Sequence, residues 1–387
     1  MADIRAFRGA RYDPSRVPLG KALCPPYDAI VPELERALRK TPLNAIHLEL
    51  PRGGAARYAR SASLWKNWRK RGVLRDDPEP SFYMVEQTFS FRGGRLTRRG
   101  LLGAMGVTPA AHRSVIPHEK TLAKPKADRL RLLSAVRANI SPIFGLVKDS
   151  RGTVRRLLAA AARRPPSSAG AAQGVDYRIW ALGDPGQVKA LESALRPLSV
   201  LIADGHHRYE VSREFHRRHP QPWAETLLAF ICPEEDRGLR VLETHRVIPA
   251  EGVLGAAERL CALKKLSSRG ALLKALAASG NPYAFGLFDG GYRLAEPRSR
   301  GGARSGLCVE WLSRNLLADL PPDRIVYSHE ADRAERLARE SGKAVLFVKP
   351  MVVAQVRRAV AAVGLLPQKS TYFYPKIATG IVFKPLA

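Results

Sequence analysis

A chain of 387 residues with a hydrophobic fraction of 45% has enough apolar material for about two or three domain cores, which excludes a disordered polymer. Its 64 basic against 35 acidic residues leave a net charge of +29, so the protein attracts polyanions in dilute salt. The basic residues run from Arg5 to Lys384 in short groups such as "WKNWRKRG" and "RGGRLTRRG", which argues for solvated faces over a dedicated nucleic-acid groove.

Cys24, Cys232, Cys261 and Cys308 lie far apart and form no C-x-x-C pair, so buried free thiols are expected and neither a zinc site nor a disulfide framework is signalled. The N-terminal "MADIRAFRGARYDP" has no apolar core behind its charges, and no apolar run approaches membrane-spanning length. The expectation is a cytoplasmic protein with no membrane partner.

In chain order, "AARYARSASLWKNWRKRG" predicts a helix, and "SFYMVEQTFSFRGGRLTRRGLLGAMGV" predicts a half-exposed hairpin turning at Gly93-Gly94. The helix "RGTVRRLLAAAARR" is followed by Pro165 to Gly174, whose Pro, Ser, Ala and Gly content reads as a linker. Next come "YRIWAL", the helix "PGQVKALESALR", the strand "LSVLIA" and a further helix, a strand-helix-strand-helix order that suits α/β layers. A second breaker, Arg298 to Gly306, precedes the helices "VEWLSRNLLADL" and "EADRAERLARES", the strand "KAVLFVKP" and an alternating tail. The expected organisation is an N-terminal α+β region over 1–164, an α/β core region over 175–297 and a C-terminal α+β region over 307–387.

The junction "SVLIADGHHRYEVSREF" puts Asp204, Gly205, His206, His207 and Arg208 between a buried strand and a helix bearing Tyr209, Val211 and Phe215 on one face. Helix-opening amides lack intrahelical partners and point together beyond the strand's carboxyl end, where a phosphate fits. Asp204 can cap the helix or meet a metal, and Gly205 lets backbone approach a ligand. His206 and His207 can donate to phosphate oxygens, and Arg208 can clamp them in bidentate fashion. A capped helix with merely exposed histidines, or a metal held by Asp204 and both histidines, are the competing readings.

"IADGHHRYE" resembles the signature of the bacterial and archaeal domain-of-unknown-function family ten-fifteen. "FRGARYDP", "CPPYDAI", "YARSASLWKNW", "IPHEKTLAKPKADRLRLLSAVRANISPIFGL" and "PQKSTYFYPKIATGIVF" are similar to that family in the same order, over about 4–383 as one unit. The chain also resembles the ParB and sulfiredoxin superfamily, in which free L-serine kinases carry a DGHHR turn. The resemblance implies an α+β fold with a ParB/sulfiredoxin-like mixed core and large N- and C-terminal additions. It further implies phosphoryl transfer from a nucleoside phosphate (ATP, ADP or CTP, with Mg²⁺) to a small hydroxyl.

"VIPHEKTLAKPKADR" gathers His118, Glu119, Lys120, Thr121, Lys124 and Lys126 before a helix, a density of opposite charges that suits an acid-base residue flanked by phosphate-pairing cations. The serine-kinase resemblance makes Glu119 the general base, with Asp28 and Glu49 as competing carboxylates; an exposed Glu-Lys loop is the alternative. Lys120 and Lys124 would offset phosphate charge, with His118 and Thr121 near the acceptor. "CPPYDAI" presents Tyr27 and Asp28 on a rigid turn, more structural than catalytic. "QKSTYFYPK" supplies Tyr372 and Lys376, which could stack a base or frame a phosphate, or simply pack in a sheet. The preferred reading is a nucleotide-dependent small-molecule phosphotransferase in which Asp204, His207 and Glu119 act on the reacting groups. A non-catalytic nucleotide-sensing regulator and a weak, non-specific nucleic-acid binder stay open.

Overall fold

The computed structural model describes residues 1–119, 121 and 123–386, with the side chains of Ala123 and Lys124 excepted. It is a mixed α/β protein whose chain forms two compact units. One comprises Met1–Pro117, Thr121–Leu239 and the segment from Pro375 onward; the other holds His118, Glu119 and Arg240–Tyr374.

The first unit is built on a nine-stranded sheet. Its main path runs Val115–Ile116, Val200–Asp204, Ile143–Val147, Thr226–Pro233, Gly94–Gly106, Phe82–Phe91, Val175–Leu182 and Ser168–Ala172, and Ile4–Arg5 pairs with Gly94–Gly106. The long hairpin closes at Phe91↔Gly94 around Arg92 and Gly93, which have φ of 47° and 82°. Two left-handed residues give the two-residue turn whose twist matches its strands. The hairpin is exposed mainly toward this tip, since its far ends lie inside the sheet.

One expectation changes. Ser168–Ala172, inside the stretch that reads as a linker, is an edge strand paired with Val175–Leu182; its small residues let Gly170 pass close to Gly20. The strands on either side of the helix Pro185–Leu195 follow the strand-helix-strand order read from the sequence and lie near opposite ends of the sheet. That helix and Thr153–Ala161 pack across one sheet face, burying Leu191, Leu195, Val154 and Leu158 against Ile143, Val147, Val200 and Ile202. The helix therefore covers the sheet instead of returning the chain to a neighbouring strand.

The opposite face carries Phe144 and Phe230, with the guanidinium of the fully buried Arg98 4.8 Å and 5.6 Å from their ring centroids. Arg98 also donates to Gln87 Oε1 and to the Pro375 carbonyl, and Gln87 Nε2 donates to the Lys376 carbonyl at 3.3 Å. A buried arginine and glutamine thus seat the chain's C-terminal segment on this face.

The second unit has a six-stranded antiparallel sheet in the order Cys261–Leu266, Tyr292–Pro297, Phe285–Phe288, Lys343–Phe347, His245–Pro249 and Val326–Ser328. Arg269–Ala278 and Ala331–Ser341 cover one face through Leu272, Leu276, Ala334 and Ala338. The helix predicted from "VEWLSRNLLADL" stops at Arg314, with the Asn315 side chain donating to the Trp311 and Gly301 carbonyls. All four cysteines are free and buried, as expected.

Candidate functional site

The DGHHR turn sits at the carboxyl end of Val200–Asp204, where the pairing with Ile143–Val147 slips. Ile202 opposes Gly145, yet Asp204 opposes Phe144, so Ala203 is the extra residue of a bulge. Strict alternation would send Asp204 to the face of Val200 and Ile202, beneath the helices. The bulge instead turns it to the Phe144 face, where Lys376 is held. Lys376 Nζ donates to Asp28 Oδ2 at 2.9 Å and to Asp204 Oδ1, while Arg208 Nη2 donates to Asp204 Oδ2 at 2.7 Å. Arg208 Nη1 reaches the Pro142 carbonyl.

This run of alternating charge, Asp28, Lys376, Asp204 and Arg208, is largely buried. Burial pulls the Lys376 ammonium down, but Asp204 and then Asp28 outweigh it and hold the group above its ordinary value. Arg208 behaves likewise, raised by Asp204, Asp28 and Glu49 against its burial. Burial, then Asp28, pushes the neighbouring Tyr27 phenol up to about 12, so it stays protonated.

The helix His206–Arg218 begins with Gly205 as its N-cap at φ 91°, and no side chain caps it. The expectation that Asp204 caps the helix is corrected here, because both its oxygens are committed to Lys376 and Arg208. Gly205 is required: a Cβ there would lie 2.9 Å from Ile143 Cγ2 and 3.1 Å from Arg208 Nε, in a left-handed conformation that side chains resist. Arg208 Nε is buried and has no hydrogen-bond partner. His206 is buried and His207 half-buried, and the His207 charge acts on Glu210 one turn along. Behind the cluster, a cavity of about 50 Å³ lined by Glu49, Arg129, Ser141 and Arg208 holds a few waters at most, so any larger ligand must lie elsewhere.

Glu49, one of the competing carboxylates, accepts from the Tyr27 amide and Ser141 Oγ, both at 3.0 Å, and so anchors the turn bearing Asp28. Arg129 lies 4.4 Å from the Tyr27 ring centroid and fixes the same turn. The Thr121 hydroxyl donates to Glu210 Oε2, as does Lys126, each at 2.8 Å. Lys120 and the Lys124 side chain lie outside the described residues.

In the second unit, Glu119 Oε1 accepts from the amides of Ser370 and Thr371 at 3.1 Å and 3.2 Å, and Oε2 accepts from Lys369 at 3.3 Å. His118 Nε2 meets Thr371 Oγ1 at 2.9 Å. Tyr372 stacks on His329, with centroids 4.3 Å apart and planes at 9°. In that unit, sequence reasoning singled out Glu119 and His118 and did not foresee the three amides that hold Glu119. In the first unit it missed Gln87 and Arg98, which lie between Glu86 and Thr88 and between Thr97 and Arg99 and so carry no local signal of burial.

Among solved structures, a conserved hypothetical protein from Pyrococcus furiosus is similar at 14% identity and a TM-score of 0.41, over 74% of this chain and 95% of that one. A free serine kinase in complex with AMP is similar at 12% identity and a TM-score of 0.40, over 71% and 86%. SbnI with a C-terminal truncation, from Staphylococcus aureus, is similar at 12% identity and a TM-score of 0.41, over 74% and 87%. No curated protein matches the chain. The model of one family matches residues 4–317, which include the DGHHR turn and the PHEKT segment and stop short of QKSTYFYPK. The chain therefore belongs to the family described as "Protein of unknown function (DUF1015)".

Proposed function

We propose that the protein binds a nucleoside phosphate at the DGHHR turn and transfers its terminal phosphoryl group to a small hydroxyl compound, as the serine-kinase-like turn and a ParB/sulfiredoxin-like core would imply. The observation that carries the reading is the bulge at Ala203, which ties Asp204 to Lys376 and Arg208 and leaves a glycine-opened helix start with no side-chain cap. First-turn amides and imidazole donors then face the phosphates, and the helix dipole favours their charge. In the transfer, the acceptor hydroxyl gives its proton to Glu119, its oxygen bonds to the terminal phosphorus, and the bridging P–O bond breaks. The shortened nucleotide leaves on the turn amides and His207, with Lys120 and Lys124 offsetting charge, and His118, Thr121 and Tyr372 are the candidates for holding the acceptor.

A resident Mg²⁺ at Asp204 does not fit these residues. Both Asp204 oxygens are neutralised by side-chain cations, and the described residues contain no group of three or more His, Cys, Asp or Glu suited to a metal. Mg²⁺ would arrive only as a companion of the nucleotide's own phosphates.

One observation favours a second reading, a nucleotide-binding regulator without catalysis: Glu119 is already an acceptor for three backbone amides. The variant Glu119→Gln decides between them, since its remaining carbonyl oxygen keeps part of that cradle. Loss of a general base is expected to lower phosphoryl transfer by about a hundredfold or more, with nucleotide affinity unchanged. Equal transfer by variant and parent would remove Glu119 as the base. Nucleotide binding with no transfer by the parent itself would select the regulator.

No helix among the described residues is long and apolar enough to cross a membrane. With 64 basic residues scattered over the chain and a net charge of +29, DNA binding should be weak, sequence-indifferent and lost as salt approaches physiological strength. A tight, sequence-selective complex in a salt-titrated gel shift would promote the nucleic-acid reading instead.

A further inference from the structure

The helix His206–Arg218 carries a second feature along its C-terminal half, where it meets the helix Ala123–Val136. A groove of about 710 Å³ lies there, within the span of roughly 300–1,000 Å³ usual for small-molecule sites. Its apolar floor is made by Val107, Pro109, Leu130, Val211 and Pro220. Val211 belongs to a core cluster with Leu133, Phe215, Ala224 and Leu386, against which Leu130 packs, so the floor is continuous with packed interior. The rim is cationic, and its charges can be followed one by one. Lys126 pairs with Glu210, and Arg217 and Arg218 share Glu214. Arg213, partly buried, makes no ion pair among the described residues, although its charge acts on His112 and Tyr209. An apolar floor beside one guanidinium without an ion pair is complementary to an apolar body bearing a single anionic head.

We infer that this groove binds a small amphipathic monoanion, an aromatic or aliphatic body carrying one carboxylate, sulfonate or phosphate ester, with its head on Arg213 and its body on the Val107–Leu130–Val211 floor. The proposal does not depend on the phosphate reading of the DGHHR turn, because it uses other residues of the helix and a different ligand chemistry.

Anilinonaphthalene sulfonate, which pairs an aromatic body with one sulfonate and fluoresces in apolar surroundings, is a direct probe for the intact chain at physiological salt. Saturable one-to-one binding is expected. Arg213→Glu reverses the charge under the head, and Ala127→Trp fills the groove from its exposed rim; each should weaken binding by about tenfold, the usual consequence of losing one charged hydrogen bond or comparable apolar burial. Arg8→Glu makes the same charge change outside the groove and should leave affinity within about twofold, because screening removes distant charge effects. The neutral analogue phenylnaphthylamine should bind more weakly than the sulfonate to the parent and equally to parent and Arg213→Glu. If Arg8→Glu weakens the sulfonate as much as Arg213→Glu does, the attraction is only the protein's general charge and the proposal fails. It also fails if both groove variants, folded by their thermal unfolding, bind as the parent does.

Discussion

Replacing Lys376 with methionine is expected to cost about 3–5 kcal/mol of stability, the usual consequence of removing one partner from a buried ion pair. Its ammonium is the bridge between Asp28 and Asp204, and its side chain is only 11% exposed. Without it, two carboxylates lose their shared cation in a poorly solvated site. Adding Asp28→Asn should recover part of the loss by removing one of the two carboxylate charges. The pH dependence follows from the direction of the Lys376 shift, which is upward from 10.5. A group whose folded pKa is raised contributes fully below its unfolded value and loses that contribution as pH rises through the folded one. The stability gap between parent and Lys376→Met should thus be constant through neutral pH and narrow only above about 10.5. Urea unfolding at neutral and strongly alkaline pH reads both effects. A gap near zero at neutral pH would mean that the ion cluster does not support the fold.

Arg208→Ala should weaken nucleotide binding by about 1.5–3 kcal/mol, the range for a charged hydrogen bond, or roughly tenfold to over a hundredfold. The sequence suggests a clamp on phosphate, but the structure gives both terminal nitrogens to protein acceptors, the Pro142 carbonyl and Asp204. We therefore expect Arg208 to act by fixing the turn, with Nε, buried and unpartnered, facing Gly205. Arg208→Lys should fail almost as fully as alanine, because one ammonium cannot serve two acceptors held by a planar fork. Full rescue by lysine would show that charge alone matters. Unchanged affinity in a folded Arg208→Ala protein would remove the turn from the binding site.

The DGHHR turn was legible because its signals are local: an apolar run, a glycine that must be left-handed and polar residues at a helix start. The hairpin was legible for the same reason, displaced by one residue to Arg92-Gly93. What could not be read was everything set by distance along the chain. Asp28 and Lys376 meet across 348 positions, and Gln87 and Arg98 hold the Pro375–Lys376 backbone from across nearly 280 or more. Composition marked Ser168–Ala172 as a linker, but edge pairing needs only backbone groups, which any small residue supplies. The commitment of Asp204 to cations instead of a cap depends on a one-residue bulge, which leaves no trace in the residue pattern.

The central claim, that the DGHHR turn holds the phosphates of a nucleotide, is tested most directly by isothermal titration of ATP, ADP and CTP, each with Mg²⁺, into the parent and Gly205→Val. A side chain at Gly205 would enter the space beside Ile143 and Arg208 and force the first turn out of its left-handed start. The account predicts saturable binding of at least one nucleotide by the parent, and a loss of about tenfold or more in a variant that still unfolds cooperatively, as removal of a charged hydrogen bond would give. Absence of saturable nucleotide binding by the parent, or equal affinity in the folded Gly205→Val protein, would contradict it.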